Sequence, residues 1–113
     1  MTHLRMNYVE LASRNIGATQ GFLAKAFGWE FVDYGPDYQA IANGGIDGGI
    51  FQNTEEALKP PLIVLKADDL AEAESAVKLA GGVITQPPFT FPGGRRFHFR
   101  EPGGNEMAVW SET

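Results

Sequence analysis

Residues 97–110 read FHFREPGGNEMAVW, from Phe97 to Trp110. Phe97-His98-Phe99-Arg100 alternates apolar and polar side chains, the period of a strand with two unlike faces. Glu101-Pro102-Gly103-Gly104-Asn105 interrupts that pattern. Proline presets φ, and glycine and asparagine tolerate positive φ, so the chain can reverse there. Glu106 to Trp110 is extended again, with Met107 and Val109 on one face and Ala108 and Trp110 on the other. The stretch is a strand, a tight turn and a second strand, expected to finish a fold rather than to link two domains.

Upstream, Leu62 to Lys66 reads as a strand, and Asp68 or Asp69 is placed to cap a helix whose buried face holds Leu70, Ala73, Val77 and Ala80. Gly81 and Gly82 stop it. Val83 to Gln86 begins a further strand, and Pro87 to Gly94 reads as an aromatic, Pro/Gly-rich loop. The first half has the same order. Met6 to Leu11 is a strand, with Val9 and Leu11 on one face and Tyr8 and Glu10 on the other. Ser13 or Asn15 caps a helix over about Asn15 to Phe27, in which Ile16, Leu23, Ala26 and Phe27 recur at helical spacing and which Gly28 ends. Trp29 to Tyr34, Tyr38 to Ala42 and Gly48 to Gln52 follow as strands. A shift of 54 residues lays Leu11 on Leu65, Ile16 on Leu70, Leu23 on Val77, Ala26 on Ala80 and Gly28 on Gly82. The shared element order points to an internal duplication.

A strand, an E-P-G-G-N turn and a closing strand, preceded by a duplicated βαβββ pattern, resemble the glyoxalase / bleomycin resistance / extradiol dioxygenase (vicinal oxygen chelate) superfamily over nearly the whole chain. The resemblance implies an α+β fold of two βαβββ modules, with curled mixed sheets around a cleft and the helices outside. Module 1 is expected over about residues 4–53, a proline-stiffened connector over 54–61 and module 2 over about 62–112, within a single domain of 113 residues. Many short relatives complete their clefts with a partner chain, so a homodimer is implied as well. Trp29 and Phe91 are apolar residues in need of cover.

Composition narrows the function. A net charge of −5 argues against nucleic acid, because phosphate binding needs a basic face. No apolar run approaches the roughly 20 residues of a membrane span. Met1 to Met6 lacks the apolar core of a secretory signal, so a cytoplasmic location is expected. The chain has no cysteine, which excludes disulfides, thiolate nucleophiles and Cys-based metal sites. There is no Ser-His-Asp order, no HExxH, and no Gly-Gly pair followed by a helix as a phosphate loop requires.

Strand alternation places Val9, Leu11, Ile41, Ile50, Ile63, Leu65, Phe97, Phe99, Met107 and Val109 toward the helices. Tyr8, Glu10, Tyr38, Phe51, Leu62, Val64, Arg96, His98, Arg100 and Trp110 fall on the cleft side, with Ala40, Gly49 and Ala108. Metalloenzymes of the family hold their metal with one ligand each from strands 1, 4, 5 and 8. The resemblance puts those places at Tyr8, Gly49, Leu62 and Ala108, none of which supplies imidazole or carboxylate. No metal and no cofactor are therefore expected, and what remains is an apolar, aromatic cleft. It resembles the metal-free, bleomycin-resistance branch, which binds a flat organic molecule without reacting with it. The competing reading is that the aromatics only fill a small core.

Three groups carry the polar chemistry. His98 is a candidate general base or ligand contact, at a place where fosfomycin-resistance relatives contact substrate, or else a structural histidine bonded to a neighbouring strand. Glu10 is a candidate to accept a ligand proton, or else a rim carboxylate paired with an arginine. Arg96 and Arg100 either clamp an anionic group or form a solvated strand edge. With His98 and Glu10 as an acid-base pair, the alternative function is a metal-independent lyase or isomerase. A metal-dependent lyase or dioxygenase with an unusual site is the second alternative.

Overall fold

The computed structural model describes residues 3–55, 57 and 59–113. The elements run β1 (Arg5–Ser13), α1 (Ile16–Phe27), β2 (Phe31–Asp33), β3 (Tyr38–Ile41), β4 (Asp47–Gln52), β5 (Leu62–Lys66), α2 (Leu70–Leu79), β6 (Val83–Phe91), β7 (Gly94–Arg100) and β8 (Glu106–Ser111). This is the βαβββ order twice over. The pairing repeats too. Each first strand lies parallel to the last strand of its own set, β1 on β4 and β5 on β8, and the remaining pairs are antiparallel. The strand orders are β2-β3-β4-β1 and β5-β8-β7-β6. A crossover helix is what allows two parallel strands to be joined, and here it feeds the strand at the far end of the set. The chain packs as two compact units, Tyr8–Leu62, and the chain up to Asn7 together with Ile63–Thr113.

Local chemistry explains the helix ends. Asn15 Oδ1 accepts the Ala18 N–H and Asp69 Oδ1 accepts the Glu72 N–H, which satisfies donors that the first turn leaves free. Ser13 does not cap α1. Its hydroxyl takes the Asn15 N–H and bonds the Thr19 hydroxyl, fixing the approach to the cap. At the other end Gly28 has φ 73° and its N–H returns to the Ala24 carbonyl, a left-handed stop that a side chain would oppose.

The core of the second module is Phe97, Phe99 and Val109 from the sheet against Ala67, Leu70 and Ala73, with Leu65, Val77, Ile84 and Met107 packed around them. Phe97 and Val109 are fully buried. The helix-facing residues expected from alternation on β5, β7 and β8 are thus in place, apart from Ile63, which is only part-buried and outside that cluster. In the first module Ile50 is fully buried, opposite Leu11 on one side and Gln39 on the other.

Three expectations need correction. Pro87 to Gly94 is not a loop. β6 continues through both prolines to Phe91, and Gly94 opens β7. β6 is an edge strand whose register with β7 shifts between Ile84 and Gln86 and again between Gln86 and Phe89. An edge strand with bulges is where a residue without an N–H is tolerated. Second, of the apolar stripe read on α1 only Leu23 is buried, and Phe22 and Phe27 are exposed. Phe27 lies in the last turn, where its ring meets Phe22 and Trp29 instead of the sheet. Third, strand ends move by up to three residues: β7 begins at Gly94 and not at Phe97, and β2 keeps only Phe31–Asp33 of the expected Trp29 to Tyr34. The connector expected over 54–61 includes Glu56 and Leu58, which lie outside the described residues. Among the described residues no helix is long and apolar enough to cross a membrane.

Replacing Phe97 by alanine should cost about 3–5 kcal/mol, and Gly28→Ala about 1 kcal/mol, because one removes the centre of a packed cluster and the other strains a single backbone position. Urea denaturation of both variants measures the difference. Equal losses would show that Phe97 is not the centre of its core.

Candidate functional site

In the second module the sheet face away from α2 carries two cross-strand rows. Lys66, Trp110, Arg96 and Phe89 are successive partners across β5, β8, β7 and β6. Val64, Ala108, His98 and Gln86 form the adjacent row. The first row alternates cations with rings. Lys66 Nζ stands 5.0 Å from the Trp110 ring centroid, and the Arg96 guanidinium is 5.9 Å from Phe89 and 5.7 Å from Phe91. Phe91 meets Trp110 edge-on at 6.1 Å. Each cation over a ring face is attracted by the ring quadrupole. Trp110 is anchored at its polar end, its Nε1 donating to Asn7 Oδ1 at 3.3 Å. Phe91, an apolar residue in need of cover, has it from Trp110 and Arg96.

His98 is 9% exposed and both of its ring nitrogens meet protein groups. Arg96 Nε donates to Nε2 at 3.2 Å. With Nε2 accepting, the neutral ring carries its proton on Nδ1, which faces Glu106 Oε2 at 3.3 Å. The same oxygen accepts the Thr85 hydroxyl at 3.1 Å. Phe89 lies against the imidazole at 5.8 Å between centroids. Arg100, by contrast, is exposed at the far end of β7, opposite Glu106. Four residues of strand put it about 13 Å from Arg96 along the chain, so the two arginines are not brought to one point.

In the first module the residues sorted to the same side are Tyr8, Glu10, Tyr38 and Phe51. Three of them meet. The Tyr8 and Tyr38 hydroxyls are hydrogen-bonded to each other, and Tyr38 donates to Glu10 Oε2 at 3.3 Å. Phe51 is the register partner of Tyr38. Burial, then the Tyr8 hydroxyl and the Glu10 charge, hold the Tyr38 phenol well above its usual range. Tyr38 is thus a neutral donor at any physiological pH. Gly49 makes this arrangement possible. A Cβ on Gly49 would collide with the Tyr38 hydroxyl oxygen.

These details decide how the four family ligand places fit a metal. Tyr8 is engaged with Tyr38. Gly49 has no side chain and no room for one, and Leu62 is aliphatic. Ala108 is fully buried and has no donor atom. Among the described residues no group of three or more His, Cys, Asp or Glu could hold an ion. The residues present do not fit a divalent metal at these places.

Sequence reading missed Glu106, Thr85, Lys66, Asn7 and Phe89 as neighbours of the named residues. Glu106 was within reach of the same alternation that placed Ala108 and Trp110, since it lies two residues before Ala108. Phe89 was lost with β6.

A duplicated βαβββ chain with a metal-ligand place on the first and last strand of each module defines the vicinal oxygen chelate class of proteins. The chain matches the model of the Glyoxalase/Bleomycin resistance protein/Dioxygenase superfamily over residues 5–109, and it belongs to that family. Solved structures share the fold. A superfamily member from Vibrio splendidus 12B01 is 18% identical with a TM-score of 0.76, covering 96% of this chain and 99% of its own. The Mn(II)-bound glyoxalase of Novosphingobium aromaticivorans is 22% identical at TM-score 0.75, and this chain, 99% covered, spans 40% of it. A variant of homoprotocatechuate 2,3-dioxygenase from B. fuscum is 15% identical at TM-score 0.75, with 99% of this chain and 33% of that one covered. No curated protein matches the chain by sequence.

The Tyr38 phenol is held neutral above the ordinary tyrosine value near 10. Its contribution to stability is therefore complete below about pH 10 and is lost as pH rises beyond it. Gly49→Ala should displace the Tyr38 ring and remove that late-titrating phenol. Ultraviolet titration of tyrosinate absorbance in the two proteins checks this, and identical curves would show that Gly49 does not seat Tyr38.

Proposed function

We propose that this family member binds a small, flat aromatic molecule without a metal, and acts as a binding or sequestering protein. The observation that carries the reading is the ring-and-cation row of Lys66, Trp110, Arg96 and Phe89, since stacked rings and buried aromatic area are what a planar ligand uses. Val64, His98 and Arg100 complete the proposed ligand set of that module, and Tyr8, Tyr38, Phe51 and Leu62 are its counterparts in the other. The position of His98 favours binding over catalysis. A general base needs a ring lone pair directed at substrate, and here Nε2 accepts from Arg96 while Nδ1 faces Glu106. A second reading, a metal-independent lyase or isomerase, draws on Glu10, whose carboxylate takes the Tyr38 hydroxyl and could pass a proton along that chain. The same proposal takes the protein as a homodimer.

Tryptophan fluorescence in a Trp29→Phe background tests the ligand. Addition of 1-naphthol or 4-nitrophenol should quench Trp110, and a ligand at 100 times its Kd should add about 2.7 kcal/mol of stability in a thermal-shift assay. Trp110→Ala should weaken binding by roughly 1–3 kcal/mol while the domain stays folded. An unfolded Trp110→Ala protein, with no ligand response in the parent, would favour aromatics that only fill a core. His98→Ala and Glu10→Gln separate the two readings. A binder keeps most of its affinity, whereas a lyase or isomerase loses on the order of 100-fold in rate. Elemental analysis of dialysed protein should find less than one Mn, Fe, Ni or Zn per chain, and a full equivalent would overturn the metal-free reading.

A further inference from the structure

Lys66, Arg96 and Arg100 are the cations that strand alternation puts on the face of the ring-and-cation row, and they differ in what holds them. Arg96 lies over Phe89 and Phe91 and donates to His98, so it is built into the surface. Arg100 is exposed at the end of β7, opposite Glu106. Lys66 stands over Trp110, with Nζ 5.0 Å from the ring centroid. Among the described residues its ionic partner is Glu112, whose Oε1 is 3.4 Å from Nζ.

That pair is a loose one. The Glu112 side chain is 69% exposed and that of Lys66 38%, and the separation is long for a charge-assisted bond. Exposed pairs of this kind contribute little, because water screens both charges. The pair still shows what Lys66 takes: a carboxylate oxygen, beside an indole. A molecule whose carboxylate is attached directly to a planar ring joins these two features in one rigid piece. Its ring meets Trp110, which is anchored by the bond from Nε1 to Asn7, and its carboxylate meets Nζ. Glu112 must freeze a flexible, exposed side chain to make the same bond, whereas an aryl carboxylate arrives rigid.

The surrounding field does not draw anions in general. Lys66 and Asn7 line a hollow of about 480 Å³ whose wall also carries Asp68, Asp69 and Glu72. A preference for carboxylates therefore has to come from direct contact with Nζ rather than from long-range attraction, and a single substitution should remove it.

We propose that the molecule bound on this row is an aryl carboxylate, with its ring on Trp110 and its carboxylate on Lys66 Nζ in the place of the Glu112 carboxylate, so that Glu112 is a built-in competitor. The inference rests on the aromatic-binding reading above and names the class of molecule that the site takes.

Two probes with one ring system test it by isothermal titration calorimetry at pH 7: 1-naphthoate, which is charged there, and 1-naphthol, which is neutral. The parent should bind 1-naphthoate about 10-fold more tightly, the effect of one charge-assisted bond at a half-exposed site. Lys66→Gln should abolish that preference, and Lys66→Arg should keep it. Glu112→Gln should raise it a further 2- to 5-fold or about that, because the competing carboxylate is gone. Taking the ratio of the two affinities cancels any loss common to both probes. Far-UV circular dichroism checks folding, and Lys66→Met, which keeps an apolar stem over Trp110, replaces Lys66→Gln if that variant unfolds. If neither probe binds, the aromatic-binding reading falls and this inference with it. Equal affinity for the two probes, or a preference that survives Lys66→Gln, overturns this inference and leaves that reading standing. A preference that Glu112→Gln leaves unchanged or lowers overturns the placing of the carboxylate at the Glu112 position.

Discussion

Burial of Phe97 and Val109 against α2 is the constraint from which the second module follows. These two side chains are neighbours across β7 and β8, and both are fully enclosed. Side chains alternate along a strand, so committing Phe97, Phe99 and Val109 to the helix commits Arg96, His98, Ala108 and Trp110 to the other face. A slip of one residue would put Arg96 and His98 into the hydrocarbon cluster and expose two phenylalanines. The free-energy cost of that slip holds the register, and through it the row of cations and rings.

A comparable constraint acts in the first module, but through a missing side chain. Gly49 sits on β4 between Glu10 and Ala40 of the flanking strands. Its lack of a Cβ lets Tyr38 lie across the strand and reach Tyr8 and Glu10. The place where the family resemblance implies a metal ligand is here a seat for a phenol. The polar centre of this module is a hydrogen-bonded chain whose middle member is neutral.

Arg96 and Glu101 are each tied to aromatic or hydrogen-bonding neighbours. Arg96 lies over Phe89 and Phe91 and bonds His98. Glu101 is locked into its own turn by Gly103 and Asn105. Such engagement limits side-chain motion and makes the surface a preorganised one.

Much of this was legible in the order of residues. The duplicated βαβββ pattern, a cap at Ser13 or Asn15 and another at Asp68 or Asp69, the Gly28 stop, the turn at 101–105 and the two faces of β7 and β8 all follow from rules that act within a few residues: periodicity, capping chemistry and tolerance of positive φ. The lack of metal-binding side chains at Tyr8, Gly49, Leu62 and Ala108 was legible as well, because donor chemistry belongs to the residue type. Tertiary structure alone decided the rest. Pro87 and Pro88 stay in a strand because β6 is an edge with a shifted register, and edge status is a property of the sheet. Glu106 and Thr85 meet His98, Tyr38 covers Gly49, and Lys66 covers Trp110, because strands far apart in the chain were brought into register. Phe22 and Phe27 are exposed for a related reason: helical spacing tells which residues share a face, but only packing against the sheet tells how much of that face is covered.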